Sequence, residues 1–213
     1  MPAIILASAS PRRQQFLRDM GLAFTVRIAD IDETPRASDL PADLARRLAI
    51  EKAQAVAKTL KKSEEEYLIV AADTVVAIDD QILGKPLDTA DALRMLTILR
   101  DRPHEVHSAL CVQALTSGEQ ISRVNTTNVK MRPYSDAEMQ RYAAGGDPLD
   151  KAGAYAIQHP QFAPVEWLDG CFAAVMGLPL ADLHEHLVMF GVTPPCSIAM
   201  ACKKHNPNSC CQE

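Results

Sequence analysis

Ser8-Ala9-Ser10-Pro11-Arg12-Arg13 sets two hydroxyls, a proline and two guanidiniums side by side. The apolar run Ile4-Ile5-Leu6-Ala7 before it reads as a buried strand. Gln14 to Met20 after it reads as a helix stopped by Gly21. A strand-to-helix turn aims free backbone N–H groups and the positive end of the helix dipole outward, so it can hold an anion. Pro11 suits a first helical position, and Arg12 and Arg13 add planar donors that match phosphate oxygens. Plain capping explains the same residues: Ser10 as N-cap, Pro11 at the first position and two solvated arginines.

Other apolar runs also end in polar residues. Asp32 and Glu33 follow the alternating Ala23 to Ala29, and Asp73-Thr74 follows Tyr67 to Ala72. Lys52 stands in Ala49-Ile50-Glu51-Lys52-Ala53 and Lys85 in Leu83-Gly84-Lys85-Pro86. Asp150 and Lys151 stand in Pro148-Leu149-Asp150-Lys151-Ala152-Gly153, and Gln158 closes Ala154-Tyr155-Ala156-Ile157. Carboxylates hold a divalent ion or activate a water, and cationic donors hold phosphate oxygens. Both kinds together describe a metal-assisted phosphate site. Each residue alone has a plainer explanation: Asp73-Thr74 a turn signal, Glu33 a solvated acid, Lys52 a surface lysine, Lys85 a turn residue, Gln158 a strand terminus.

The elements that must carry these residues alternate irregularly. Asp39-Leu40-Pro41 opens a long helix with Leu44, Leu48, Ala55 and Val56 among its apolar positions, and Lys61 to Glu66 is a charged linker. Thr74 to Leu83 reads as a hairpin turning at Asp79-Asp80, and Thr89 to Leu99 as a helix. His104 to Leu115 and Gln120 to Lys130 read as an antiparallel pair. Ser135-Asp136-Ala137-Glu138 is a capping box for a helix that ends near Gly145-Gly146. Short strands are expected at Ala154 to Ile157 and Val165 to Leu168, and a last helix over Ala181 to Phe190. Mixed strands and helices without strict alternation point to an α/β fold, a mixed sheet with helices around it.

The 213 residues suffice for one domain, expected over 1–193, with a Cys-containing tail over 194–213. A net charge of −5 argues against a nucleic-acid polymer as partner, and no apolar run is long enough for a membrane helix. The start lacks the pattern of a signal peptide, so the simplest location is cytoplasmic. Cys111 and Cys171 lie in apolar segments and read as buried free thiols. Cys196, Cys202, Cys210 and Cys211 crowd the end around His205 without the paired spacing of a zinc site. Lys203 to Glu213, polar and containing Pro207, reads as a poorly ordered tail.

In combination the motifs resemble the Maf family of nucleoside triphosphate pyrophosphatases. Leu6-Ala7-Ser8-Ala9-Ser10-Pro11-Arg12-Arg13 is similar to the family signature. Asp32-Glu33-Thr34-Pro35, Glu51-Lys52-Ala53, Ala72-Asp73-Thr74-Val75-Val76 and Leu83-Gly84-Lys85-Pro86 follow in the family's order. So do His104-Glu105-Val106, Pro148-Leu149-Asp150-Lys151-Ala152-Gly153-Ala154-Tyr155 and Gly177-Leu178-Pro179-Leu180. The resemblance implies an inosine-triphosphatase-like fold, an elongated mixed sheet flanked by helices with a cleft between two lobes. It implies hydrolysis of a nucleoside triphosphate to monophosphate and pyrophosphate with a divalent cation, Mg²⁺ or Mn²⁺, and a homodimer. By similarity Asp73 is the proton acceptor, Glu33 helps hold the metal or water, and Ser8, Ser10, Arg13, Lys52 and Lys85 contact phosphates. Asp73 as a metal ligand stays open beside its role as a base.

The resemblance also implies a base preference. Pro11-Arg12-Arg13, Ala72-Asp73-Thr74 and Ile157-Gln158 are similar to the branch that acts on dTTP and UTP, which makes Arg12, Thr74 and Gln158 the base-selecting positions. A branch that prefers 7-methyl-GTP carries an acid where Gln158 stands. The chain departs from the family at His159-Pro160-Gln161-Phe162-Ala163-Pro164 and at Cys171-Phe172-Ala173-Ala174-Val175-Met176. Two other functions fit the motifs less well: a non-catalytic, nucleotide-sensing regulator of cell division, and a purine-directed enzyme acting on inosine triphosphate.

Overall fold

The computed structural model describes residues 2–60 and 66–206. The Lys61-to-Glu66 linker, but for Glu66, and Cys210 and Cys211 lie outside the described residues. The first strand, β1 (Ala3–Leu6), leads into α1 (Pro11–Asp19), β2 (Phe24–Val26), α2 (Pro41–Thr59), β3 (Tyr67–Ile78) and β4 (Gln81–Leu83). Then come α3 (Thr89–Leu99), β5 (Pro103–Ala114), β6 (Gln120–Met131), α4 (Asp136–Ala144) and β7 (Val165–Asp169). The chain continues through α5 (Phe172–Val175), α6 (Leu180–Met189) and α7 (Ile198–Lys203). The strands form one mixed sheet in the order β2-β1-β3-β5-β6-β7, with β4 on β3. The pairs β1–β2 and β1–β3 are parallel, and the rest are antiparallel.

The central strand β3 decides where a cleft can open. On one edge it is paired with β5 from Leu68 to Ala77. On the other edge β1 pairs as far as Val70, and β4 begins only at Val76. Ala71 to Val75 therefore have no strand beside them on that edge. Asp73-Thr74, expected just past a strand end, lie instead inside β3, and they reach the cleft because β1 ends before they do. The hairpin turn at Asp79-Asp80 forms as expected.

Three apolar cores flank the sheet. On one face α2 lays Leu44, Leu48, Ala49, Ala53 and Val56 onto Ile5, Ile69, Ala71 and Val75. The opposite face carries two cores. One gathers α1, α6 and α7 over Leu68, Val70, Ala72, Leu110 and Val112. The other gathers α3 and α4 over Val76, Ile78, Val106 and Val129. Between Ala72 and Val76 on β3 stands Thr74, and between Leu110 and Val106 on β5 stands Ser108, its register partner. This row of hydroxyls separates the two cores of that face.

Two further expectations fail. Ala154 to Ile157 is no strand. Gly153 (φ 68°) and Ala154 (φ 59°) turn the chain back on itself, and a Cβ on Gly153 would stand 2.9 Å from Val76 Cγ1, so the tight approach requires glycine. Cys171 is half-buried, and its sulfur caps α5 by accepting from Ala174 N–H. Within the segment expected as a tail from 194, the described residues form α7, which buries Ala201 and Cys202 in the α1 core. Asp19 accepts there from Lys204 Nζ (2.8 Å) and pairs with His205 Nε2 (2.8 Å).

Candidate active site

A cleft of about 560 Å³ opens at the unpaired edge of β3. Ser8, Ser10, Arg12, Arg13, Glu33, Lys52, Asp73, Thr74, Lys85 and Gln158, all singled out in the sequence, line it together. One wall is the β1–α1 turn. Ser10 caps α1, accepting from Arg13 N–H, and Pro11 occupies the first turn. The capping explanation is therefore met, and the turn still faces a cavity. Ser8 Oγ accepts from Ser10 N–H (3.2 Å) and from Arg13 Nη1 (3.1 Å), which ties the loop to the guanidinium.

Arg13 is held on three sides. Its Nε donates to Gly177 O (2.8 Å), Nη1 to Ser8 Oγ and Nη2 to Thr74 Oγ1 (3.3 Å). Gly177 has φ 108°, a conformation that turns its carbonyl toward Arg13 and disfavours any side chain. Burial lowers the Arg13 pKa, and Arg12 adds to the effect, while Asp73 and Glu33 oppose it. The group is a fixed cation with donors left for a ligand.

The opposite wall is acidic. Lys52, buried on α2, donates to Asp73 Oδ1 (2.5 Å) and pairs with Glu33 Oε1 (2.8 Å). Asp73 is as buried as Lys52, whereas half of the Glu33 side chain is exposed. Burial pushes the Glu33 carboxyl up, but the hydrogen bond and charge of Lys52, with Lys85 and Arg13, outweigh it and hold its pKa below the usual range. Two carboxylates thus converge on the Lys52 ammonium, and their other oxygens are the donors left to hold a metal ion. Hard carboxylate oxygens of this kind are the donor type that divalent cations such as Mg²⁺ take. Among the described residues no three His, Cys, Asp or Glu side chains gather as a complete metal site.

Glu33 lies on irregular chain, and Arg47 fixes that chain. Its guanidinium reaches Thr34 O (3.3 Å), Asp39 Oδ2 (2.5 Å) and Glu51 Oε2 (3.1 Å), clamping the loop to α2 one turn before Lys52. The Arg47 pKa is raised, first by the Asp39 hydrogen bond. Arg47 was not among the residues singled out in the sequence. Its one signal was an acid four residues on, at Glu51.

The remaining rim is built from turns. Arg12 Nη1 stands 3.6 Å from Asp150 Oδ2. Lys151 is buried and donates to Asp150 Oδ1 (2.6 Å) and Asp147 O (2.6 Å). Tyr142 donates to Asp147 Oδ2 (2.7 Å) and accepts from Ala156 N–H (3.0 Å), which holds the segment leading to Gln158. Tyr142 also stacks on Phe162, at 4.3 Å between centroids. The departure at 159–164 is therefore packing against α4. Lys85 and Gln158 are exposed, and neither makes a side-chain bond among the described residues.

A family model described as Maf-like protein matches residues 3–190. A dTTP/UTP pyrophosphatase of Dehalococcoides mccartyi is 42% identical over 194 residues, 91% of this chain and 85% of that protein. One of Geobacter metallireducens is 43% identical over 188 residues, 88% of this chain and 96% of its own. One of Desulforamulus reducens is 38% identical over 192 residues, 90% and 98% of the two chains. With motifs in the family's order, their side chains around one cleft, and relatives matched along nearly their whole length, the chain belongs to the Maf family.

Proposed function

We propose that the protein is a nucleoside triphosphate pyrophosphatase that hydrolyses dTTP and UTP to the monophosphate and pyrophosphate. The observation that carries this reading is the convergence of Glu33 and Asp73 on Lys52 in the same cleft as Arg13. A carboxylate to take the water's proton and cations to hold phosphate charge are the two things that water attack on the α–β phosphoanhydride needs. Relatives at about two-fifths identity bear the name dTTP/UTP pyrophosphatase. A sensor of nucleotides would need neither Asp73 nor Glu33.

Ser8, Ser10 and Arg13, with the first turn of α1, bind the phosphates, and Lys52 and Lys85 neutralise charge that moves onto the leaving pyrophosphate. Asp73 Oδ1 is held by Lys52, so the carboxylate is fixed with Oδ2 left to take a proton from the attacking water. Glu33 and Asp73 would hold a divalent cation, Mg²⁺ or Mn²⁺, which when bound lowers the pKa of water and shields phosphate charge. Arg12, Thr74 and Gln158 are the base-selecting positions on this reading. The Gln158 amide both donates and accepts, as a pyrimidine edge requires.

Incubation with dTTP, UTP, CTP, GTP and 7-methyl-GTP, each with Mg²⁺ or Mn²⁺, tests the reading. Pyrophosphate release fastest from dTTP and UTP is expected. No turnover of any of them, or release of single phosphate, overturns it.

A further inference from the structure

The hydroxyl row between the two cores has a direction. Ser108 is fully buried, and its Oγ donates to Ala174 O (2.5 Å). Its one proton is then committed, so in the 2.9 Å contact with Thr74 Oγ1 it can only accept. Thr74 must be the donor there, which leaves its lone pairs for Arg13 Nη2 at 3.3 Å. The chain runs from the Arg13 guanidinium through Thr74 and Ser108 to the Ala174 carbonyl. That carbonyl also accepts from Gly177 N–H (2.8 Å), and Gly177 O takes Arg13 Nε (2.8 Å). Two arms thus join Arg13 to the end of α5 and the turn that follows it.

We infer that Ser108 is a positioning residue: by committing the Thr74 proton inward it fixes the hydroxyl as an acceptor that holds Arg13 in place. The inference rests on the reading of Arg13 as a phosphate-binding residue. Ser108 does not line the cleft, so its effect reaches a ligand only through Thr74 and Arg13. It also recasts Thr74, which then serves phosphate binding through the placement of a cation, apart from any touch on the base. Loss of the Ser108 hydroxyl frees the Thr74 proton to turn, and a hydroxyl that points its proton at a guanidinium repels it.

Affinity for inorganic tripolyphosphate, read by calorimetry, tests this without turnover. Ser108→Ala is expected to weaken binding by about tenfold, the loss of one charge-assisted hydrogen bond. Thr74→Val should do the same and Thr74→Ser stay within about twofold of the parent. Ser108→Ala with Thr74→Val should be no weaker than Thr74→Val alone, because both act on one contact. In turnover, Ser108→Ala should raise KM for dTTP with kcat held and leave the ratio of dTTP to CTP unmoved. Parent-like tripolyphosphate binding by Ser108→Ala, a double variant that loses the product of both single effects, or an altered base ratio with unaltered tripolyphosphate binding overturns the inference. If Ser108→Ala does not fold, the Thr74→Val and Thr74→Ser pair still decides: equal binding by both overturns it. Parent protein that binds tripolyphosphate but hydrolyses no nucleotide overturns the proposed function and leaves the relay standing. Parent protein that binds no tripolyphosphate overturns the relay's premise.

Discussion

At one end of the cleft Ser8, Arg13, Lys52 and Asp73 stand on the β1–α1 turn, α2 and β3, and three of them are buried. At the other end Asp150, Lys151 and Gln158 stand on turns between α4 and β7, with Arg12 leaning across to Asp150. The first end is paired by short bonds within regular structure. The second is held by a few side chains: Tyr142 pins irregular chain to α4, and Lys151 ties the turn to Asp147 and Asp150. Rigid elements hold geometry better than loops, and loops vary with less cost to the core. Under the proposed function, the common chemistry falls to the rigid end and the turns share in the choice of base.

The largest expected effect falls on the rigid end. Asp73→Asn keeps the shape and the bond from Lys52 but removes the proton acceptor. Pyrophosphate release should fall by roughly 10²–10⁴-fold. Near-equal losses for every base would sharpen the division of labour, and a loss confined to one base would break it. Full activity in the variant would remove Asp73 from the chemistry.

Two clamps allow a finer comparison. Arg47→Ala frees the Glu33 loop, and the Mg²⁺ concentration for half-maximal rate should rise by roughly 10–100-fold, as when support for a metal-holding carboxylate is lost. Arg47→Lys keeps the charge but not the fork and should fall between. Base preference should not move in either. Tyr142→Phe does the converse: it takes the acceptor from Ala156 N–H and the donor from Asp147. The ratio of kcat/KM for dTTP over CTP should fall by about threefold to tenfold, with the Mg²⁺ requirement unchanged. Steady-state rates across metal concentration and base check both, and crossed effects would show the two ends acting as one.

Much of the rigid end was legible in the sequence because it rests on short-range rules. Ser10-Pro11 announces a helix start, Gly21 a stop, and the run Tyr67 to Ala72 a central strand. Arg47 and Ser108 were not legible, because each is defined by partners distant in the chain. Arg47 holds Thr34 and Asp39 across a loop, and Ser108 meets Thr74 and Ala174 across 34 and 66 positions. The stretch from Ala154 to Ile157 misled because its apolar residues are buried by a turn that Gly153 makes, with no strand pairing to carry them. Asp73 was found for its type and misplaced by its setting: nothing local says that β1 stops short of it.

The smallest expected effect lies outside both ends. Asp19 closes α1, where a carboxylate meets the negative end of the helix dipole. Burial disfavours its charge further, yet its pKa is held below the usual range by hydrogen bonds from Lys204, His205 and Gln15. A depressed carboxylate pKa contributes stability that is present above the unfolded value and lost as pH falls through the folded one. The docking of α7 should therefore loosen only below about pH 4. Asp19→Asn should remove that acid-side dependence and cost about 1 kcal/mol, a fall in Tm of about 2–4 °C. Turnover of dTTP should be unchanged, since Arg12 and Arg13 sit at the far end of α1 and are held by Asp150, Ser8, Thr74 and Gly177. A thermal melt and a KM for dTTP measured side by side check this. A shift in KM with Asp19→Asn would mean that α1 relays the state of its C-terminal end to the phosphate site, and that the rigid end is less rigid than its bonds imply.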